Sequence, residues 1–489
     1  NNTLAIANPD RTSFNYEGWK IYESDTYDAK TNTGTEIVPG KGNSYVDSNG
    51  IFHMGNKNTT IVAQWNVISA KYQVNYWFQK ANGNPDGKLA DNYNKDIAWS
   101  YTAYADADSK ISPKVYTLMD CAKETSNTAE EKTVNDLKEK LYGFYAPDME
   151  TETVKADGTT VINYKYTRSK IDLKYNAGSD PNGNKASVKA SGYKTDANGN
   201  IQKSNGTDVT TTLTYGATNL KTADANTFNL SLTGYSLDKR QTWVNKILGL
   251  YLSGNQKMMP SEIMAVQSVI DKKFESEITR YINTLDSKII ADKNWTKSYW
   301  NGLNYAERNR CREEYMTNTA NNKLAAQTMN SELQNMIKNS PVLLSANWEA
   351  NSYDVTLNYN GATTKPTSGS PMGAASTIAA DGNSATWNSY VQYDHVIPKV
   401  FGSDKIAKTG YTFTGWKNGD VLWNADGAVV KGRKLNNSTW SDAQGLYKYT
   451  GNTTVTAQWS ENSYNIEFKA NKTSIASNNV CGDLSTITN

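Results

Sequence analysis

The chain has 489 residues, a net charge of +2 and a mean hydropathy of −0.69, with 37% hydrophobic and 11% aromatic residues. So small a charge excludes a strong field for nucleic acid or an anionic membrane surface, and no run of ~18 apolar residues offers a membrane span. Two isolated histidines (His53, His395) and three distant cysteines (Cys121, Cys311, Cys481) leave no disulfide framework, zinc site or His-based catalytic constellation to argue from.

The length corresponds to three or four domains of ~100–200 residues. The first clear element is an aromatic strand, SFNYEGWKIYE (13–23), whose Gly18 before Trp19 fits a bulge or a positive φ. In IVAQWNVISAKYQVNYW (61–77) a strand ends on Trp65, a polar joint follows, and Tyr72, Val74 and Tyr76 share one face of the next strand. Residues 128–144 space Val134, Leu137, Leu141 and Phe144 for a helix lying across that module's sheet. NYKYTRSKIDLKY (163–175) repeats strand, joint and strand, with Tyr166 in the Trp place and Ile171 in the Tyr place. SDPNGNK (179–185) and DANGN (196–200) set Asp and Asn around Gly. Calcium loops do so too, but the downstream bidentate Glu is missing, and hairpin turns are the preferred reading; NGNPDGK (82–88) reads the same way. LTGYSLDKRQTW (232–243) keeps Gly234, Tyr235 and Leu237 of the aromatic strand but loses its Gly-Trp.

From 238 to 339 the character changes. After VNKILGLYL (244–252) and a turn at Ser253–Asn255, Pro260 and Glu262 open a helix whose apolar residues step by three and four: Ile263, Val266, Ile270, Phe274, Ile278, Tyr281/Ile282, Leu285 and Ile289. Residues 294–316 and 322–337 predict further helices. The strand, joint and strand return in LLSANWEANSYDVTLNY (343–359), with Trp348 and Tyr353. KTGYTFTGWKNGD (408–420) restores the aromatic strand in full: Tyr411, Phe413, Gly415 and Trp416 match Phe14, Tyr16, Gly18 and Trp19. TAQWSENSYNIEF (456–468) is the last joint, with Trp459 and Tyr464.

Each joint reads as the last strand of one module and the first strand of the next. The expected modules are 1–66, 71–169, 170–237 completed by 340–350, and 351–460, with a further one starting in 464–489 and a helical bundle inserted at 238–339. The chain therefore reads as beginning and ending inside repeats. The expected fold class is mainly β with an α insertion (α+β). The excess of tyrosine (31) over phenylalanine (9) suits thin β-domains in which one ring edge is buried and the hydroxyl stays wet.

The opening Y-x-V-x-[YF], the middle K-x-G-Y-x-F-x-G-W and the terminal T-V-x-A-x-W resemble the Listeria–Bacteroides repeat, or internalin B-repeat. The match covers 351–460 and 13–66, and in part 170–237 with 341–350. Residues 71–169 are similar to the mucin-binding-protein type of β-grasp module. The resemblance implies tandem β-grasp-like modules on an exported bacterial surface protein, a stalk or adhesin without catalysis. The implied partners are a host or bacterial surface protein, a glycan, or copies of the chain itself. A subunit of a surface layer or fibre is the alternative, and an enzyme lodged in the helical segment a further one; no cofactor is implied.

Trp19, Trp65, Trp348, Trp416 and Trp459 fall at repeat places and are expected in the core. Trp99, Trp295, Trp300, Trp423 and Trp440 fall outside the repeat. Of these, Trp99, Trp423 and Trp440 are the candidates for stacking on a sugar, while Trp295 and Trp300 are expected in the helical bundle. ERNRCRE (307–313) offers Arg308 and Arg312 as candidate grips on an anionic ligand, against the plainer reading of a charged helix face. Glu130/Glu131 and Glu313/Glu314 read as solvated helix faces rather than acid–base pairs, and no phosphate-binding Gly loop is present.

Overall fold

The computed structural model describes residues 3–39, 42–95, 100–116, 141–366 and 376–467. The protein is mainly β, with many small sheets and few helices. It forms two compact units. One is Asn1–Leu173 with Thr212–Leu220 and Met259–Val342; the other is Lys174–Thr211 with Lys221–Met258 and Leu343–Asn489.

In the first unit, Phe14–Glu23 pairs antiparallel with Thr59–Val67, shifting register between Tyr16 and Gly18. Gly18 sits at φ 122°, a value that side chains resist, which explains glycine at this bulge. A small core of Ile21, Ile37 and Phe52 lies beside it. After Ile68 the chain enters Ser69–Gln79, which runs parallel to Thr160–Arg168, from Tyr72 opposite Thr160 to Phe78 opposite Tyr166. Alternation buries Val74, Tyr76 and Phe78 with Ile162, Tyr164 and Tyr166. The phenol hydroxyls do not go unpaired: Tyr164, Tyr76 and Tyr166 donate to the carbonyls of Pro113, Lys114 and Tyr116 at 2.7, 2.8 and 2.7 Å. A phenylalanine core could not tie down that crossing segment. The helix expected over 128–144 lies outside the described residues as far as 140. Phe144 is in a strand, opposite Arg168, rather than on a helix.

Besides the short Leu89–Asn92, the helices among the described residues of this unit are Pro260–Asp292, Lys297–Gly302, Tyr305–Thr317 and Thr319–Lys338. Pro260 opens the longest, and the Glu262 carboxylate accepts the Met259 amide at 2.6 Å. Its buried stripe runs from Ile263 to Ile289. The helix expected at 294–316 is broken, because Thr296 and Asn304 each cap a new start; Asn304 and Glu307 bond each other's backbone amides.

In the second unit, residues 352–461 build a six-stranded sheet in the order Ser376–Ile378, Ser384–Gln392, Ser352–Asn358, Thr453–Glu461, Tyr411–Asn418, Asp420–Asn424. Its first strand again runs parallel to its last, with Val355 opposite Thr453 and Asn358 opposite Thr456. Residues 238–258, expected in the helical segment, instead contain the hairpin Trp243–Asn245 and Leu250–Leu252, with Trp243, Leu250 and Leu252 buried. Alternation with period two decides this, and helix begins only at Pro260.

The hairpin also corrects the reading of 232–243. Leu237 stands opposite Trp348 as Phe413 stands opposite Trp459 and Tyr16 opposite Trp65. Trp243 stands opposite Ala346 as Trp416 stands opposite Ala457 and Trp19 opposite Ala63. The aromatic place is therefore kept. Residues 238–242 occupy the position that Thr414 and Gly415 fill elsewhere, so the spacing hid Trp243.

Candidate functional site

The repeat-specific aromatics come first. Tyr16 meets Trp19 and Trp65 edge to face at 5.6 and 5.8 Å, and Phe413 meets Trp416 and Trp459 in the same way, both at 5.4 Å. Of the five tryptophans expected in the core, Trp416 is fully buried; Trp19, Trp65, Trp348 and Trp459 are half-buried.

The candidate ligand residues fare differently. Trp99 lies outside the described residues. Trp423 and Trp440 are 0% exposed and cannot stack on a ligand. Trp423 is opposite Trp416 in the hairpin, donates to the Pro398 carbonyl at 3.1 Å and packs on Trp440 at 4.9 Å; Trp440 packs on Tyr447 at 5.0 Å. Arg312 is also committed internally. Its Nε and Nη2 donate to the two Asp286 oxygens at 2.7 Å each, and Nη1 donates to Asn309 Oδ1 at 2.9 Å. That fork clamps the helix Tyr305–Thr317 to Pro260–Asp292 rather than facing a ligand. Arg308 is half-buried, and its Nε has no hydrogen bond. Trp300 is buried and donates to Asp286, and Trp295 is half-buried beside it.

Among the described residues, no group of three or more His, Cys, Asp or Glu is placed to hold a metal ion. The Asp-Asn-Gly segments are turns. Asp180 Oδ1 accepts the amides of Asn182 and Asn184 at 3.0 and 2.8 Å, and Asp196 Oδ1 those of Asn198 and Asn200 at 2.8 Å each. Burial alone would raise the Asp196 carboxyl, but the bonds from Asn200 and Asn198 outweigh it and hold the group below its ordinary value.

Two surfaces were not foreseen from sequence. The outward side of the sheet in 69–168 carries a linked set of amides: Gln73 Nε2 and Ser100 Oγ donate to Asn75 Oδ1, and Asn75 Nδ2 and Trp77 Nε1 donate to Asn163 Oδ1, at 2.9–3.1 Å. Exposed Tyr104 and Val161 flank it. Asn75 itself is buried and its amide is spent inside this set, so only the half-buried Gln73, Trp77 and Asn163 reach the surface. The sequence signal was the polar half of each alternating strand.

The second lies inside the second unit, between 393–448 and the segments 174–211 and 221–258. Asp394, only 5% exposed at its side chain, pairs with Lys448 and accepts from the Tyr235 hydroxyl at 3.1 Å and from Asn182 Nδ2 at 2.5 Å. Burial would raise its carboxyl, yet Lys448, Tyr235 and Asn182 together hold it below the ordinary range. Tyr235 meets Tyr393 edge to face at 5.6 Å, and Gly234 leaves room for that ring: a Cβ there would lie 2.2 Å from Tyr393. The joint between these two segments is thus tied by charge, hydrogen bonds and packing.

Among the described residues no helix is long and apolar enough to cross a membrane. No protein-family model and no curated protein matches the chain. Among solved structures it is similar to the Bacillus anthracis TIE protein, at 12% identity with a TM-score of 0.17, covering 45% of this chain and 43% of that one. The chain spans less than half the length of that protein, and so slight a likeness extends to neither fold nor function.

Proposed function

We propose that the chain is a non-catalytic, multi-module protein of the bacterial cell surface, a stalk that withstands tension and presents a binding face. The observation that carries this reading is the parallel pairing of first and last strands in 69–168 and again in 352–461. When such a module is pulled from its two ends, those strands are loaded in shear, and the hydrogen bonds of the ladder resist together. A hairpin pulled from its ends opens one bond at a time. The Asp394 joint stiffens the succession of segments. The resemblance to surface-protein repeats supplies the location, and the half-buried Gln73, Trp77 and Asn163 with the exposed Tyr104 and Val161 are the surface offered to a glycan or a polar protein partner.

Single-molecule pulling of residues 1–489 between their termini tests this. The expected record has discrete unfolding events well above the force that unzips a hairpin. The event for 69–168 should come at higher force than that for 352–461, because its parallel ladder is longer. Extension at low force without discrete events would overturn the stalk reading.

A further inference from the structure

Helix Pro260–Asp292 packs against the β-part of its own unit along one short seam. Val266, Ile270 and Phe274 recur every four residues and are fully buried, and Phe274 meets Tyr145 at 6.1 Å. Gly143 makes room for the Tyr215 ring, since a Cβ there would stand 2.2 Å from it, and Arg168 Nη1 donates to the Tyr215 carbonyl at 2.8 Å. Asn330, on the helix Thr319–Lys338, donates to the Ala146 carbonyl at 2.5 Å.

One group in this seam is at odds with it. Asp271 follows Ile270 on the helix, and its Oδ1 is shut off from solvent with no hydrogen bond to accept. The Tyr215 hydroxyl is its hydrogen-bonding neighbour, and Glu275, one turn along the same helix, adds a second negative charge. Among the described residues no cation pairs with Asp271. Arg168 spends Nε on the Gln79 carbonyl at 2.6 Å and Nη1 on Tyr215, and Lys273 Nζ donates to Ser340 Oγ at 3.2 Å. Tyr145 stays neutral, because burial pushes its phenol up. A carboxylate with a buried, unbonded oxygen carries a desolvation cost that its protonated form largely escapes. Burial accordingly raises the Asp271 carboxyl above its ordinary value; Tyr215 opposes the shift and Glu275 adds to it.

We propose that Asp271 is a proton-operated latch, which closes the helix onto 143–146 and Tyr215 when protonated and loosens that seam when ionised. It sets how firmly the helix rides on the β-part of the unit according to pH. It does not depend on the stalk reading, and the two can fail separately. With the seam open the carboxyl titrates near 3.8; with the seam closed it titrates higher. Between those values opening releases a proton, so the opening equilibrium should grow by up to about tenfold per pH unit. Above the closed value both forms are ionised and the growth stops.

The test is hydrogen exchange of residues 1–489 from about pH 3 to about pH 8, corrected for the intrinsic exchange rate. The amides of Val266–Phe274 should lose protection as pH rises through the window, whereas those of Leu357 and Val455 in the second unit should not. Asp271→Asn keeps the shape and cannot ionise, so it should remove the slope and hold the acid level of protection at neutral pH. Tyr215→Phe removes the bond that lowers the carboxyl and should move the window to higher pH, a shift that lost packing alone would not produce. Carbon NMR of the Asp271 carboxyl in the wild type reads the same proton without any variant. Protection that is flat in pH, an Asp271→Asn slope equal to that of the wild type, or an Asp271 carboxyl titrating at or below 3.8 each overturns the proposal.

Discussion

The segments 13–67 and 352–461 carry the same aromatic strand pair, with the same bulge, register and ring contacts, yet only one is sealed. In 352–461, Trp416 Nε1 donates to the Phe401 carbonyl at 3.0 Å and Phe401 lies edge-on to the ring at 5.3 Å. In 13–67, Trp19 Nε1 has no partner and its ring is half-buried. The two strand pairs teach that the Gly-Trp motif fixes local geometry, whereas burial comes from what lies over it: a parallel first strand and the 397–401 segment.

The sharpest way to break this comparison is to remove the ring from each strand pair. Trp416→Ala should cost about 3–5 kcal/mol and Trp19→Ala about 1–3 kcal/mol, because the second ring has less contact to lose. Urea unfolding, with each segment followed by hydrogen exchange, measures both; equal losses would mean that the covering layer adds nothing. Next, Asp394→Ala should lower the stability of the second unit by about 3 kcal/mol, since Lys448 would lose its buried partner, and 13–67 should be untouched. Because the Asp394 carboxyl lies below its ordinary value, its contribution is present above that value and is lost as pH falls through the folded one.

A smaller difference lies at the bulges. Gly18→Ala forces a side chain to φ 122° into open space, for about 1–3 kcal/mol. Gly415→Ala adds a clash, a Cβ 2.4 Å from the Trp423 carbonyl at φ 137°, and should exceed it in the same unfolding measurement. The smallest effect is in the turns. Asp47 Oδ1 accepts the amides of Asn49 and Ile51, and Asn424 Oδ1 those of Asp426 and Ala428. The hydrogen bond from His53, then the Ile51 amide, holds the Asp47 carboxyl below 3.8. Its stabilising effect is therefore lost as pH falls through that lowered value, whereas Asn424 does not titrate. As pH falls below 3.8 and through that lowered value, the Ile51 amide should lose exchange protection while that of Ala428 keeps it.

The alternation of Tyr72, Val74 and Tyr76 and the Trp-to-Tyr joints made the strands and their order legible, because period two is a local property. The helix stripe from Ile263 to Ile289 was legible for the same reason. Trp243 was not, since five residues replaced a bulge and only pairing with Ala346 reveals its place. The burial of Trp423 and Trp440 was hidden because it depends on the segments around Pro398 and Tyr447, which no repeat marks. Arg312 looked like a free cation because Asp286 lies 26 residues away.

The Asp-x-Asn-Gly turns have a chemical consequence as well as a conformational one. Asn-Gly is the dipeptide most prone to deamidation, because the glycine nitrogen can attack the asparagine side-chain carbonyl and close a succinimide ring. In these turns that nitrogen is already engaged: Gly50, Gly183 and Gly199 each donate to the carbonyl of the leading aspartate, Asp47, Asp180 and Asp196, at 3.0 Å. Ring closure requires that hydrogen bond to open and the amide to lose its proton. The folded hairpin thus slows its own chemical ageing, and Asn49, Asn182 and Asn198 become clocks that run fast only in chains that have come undone.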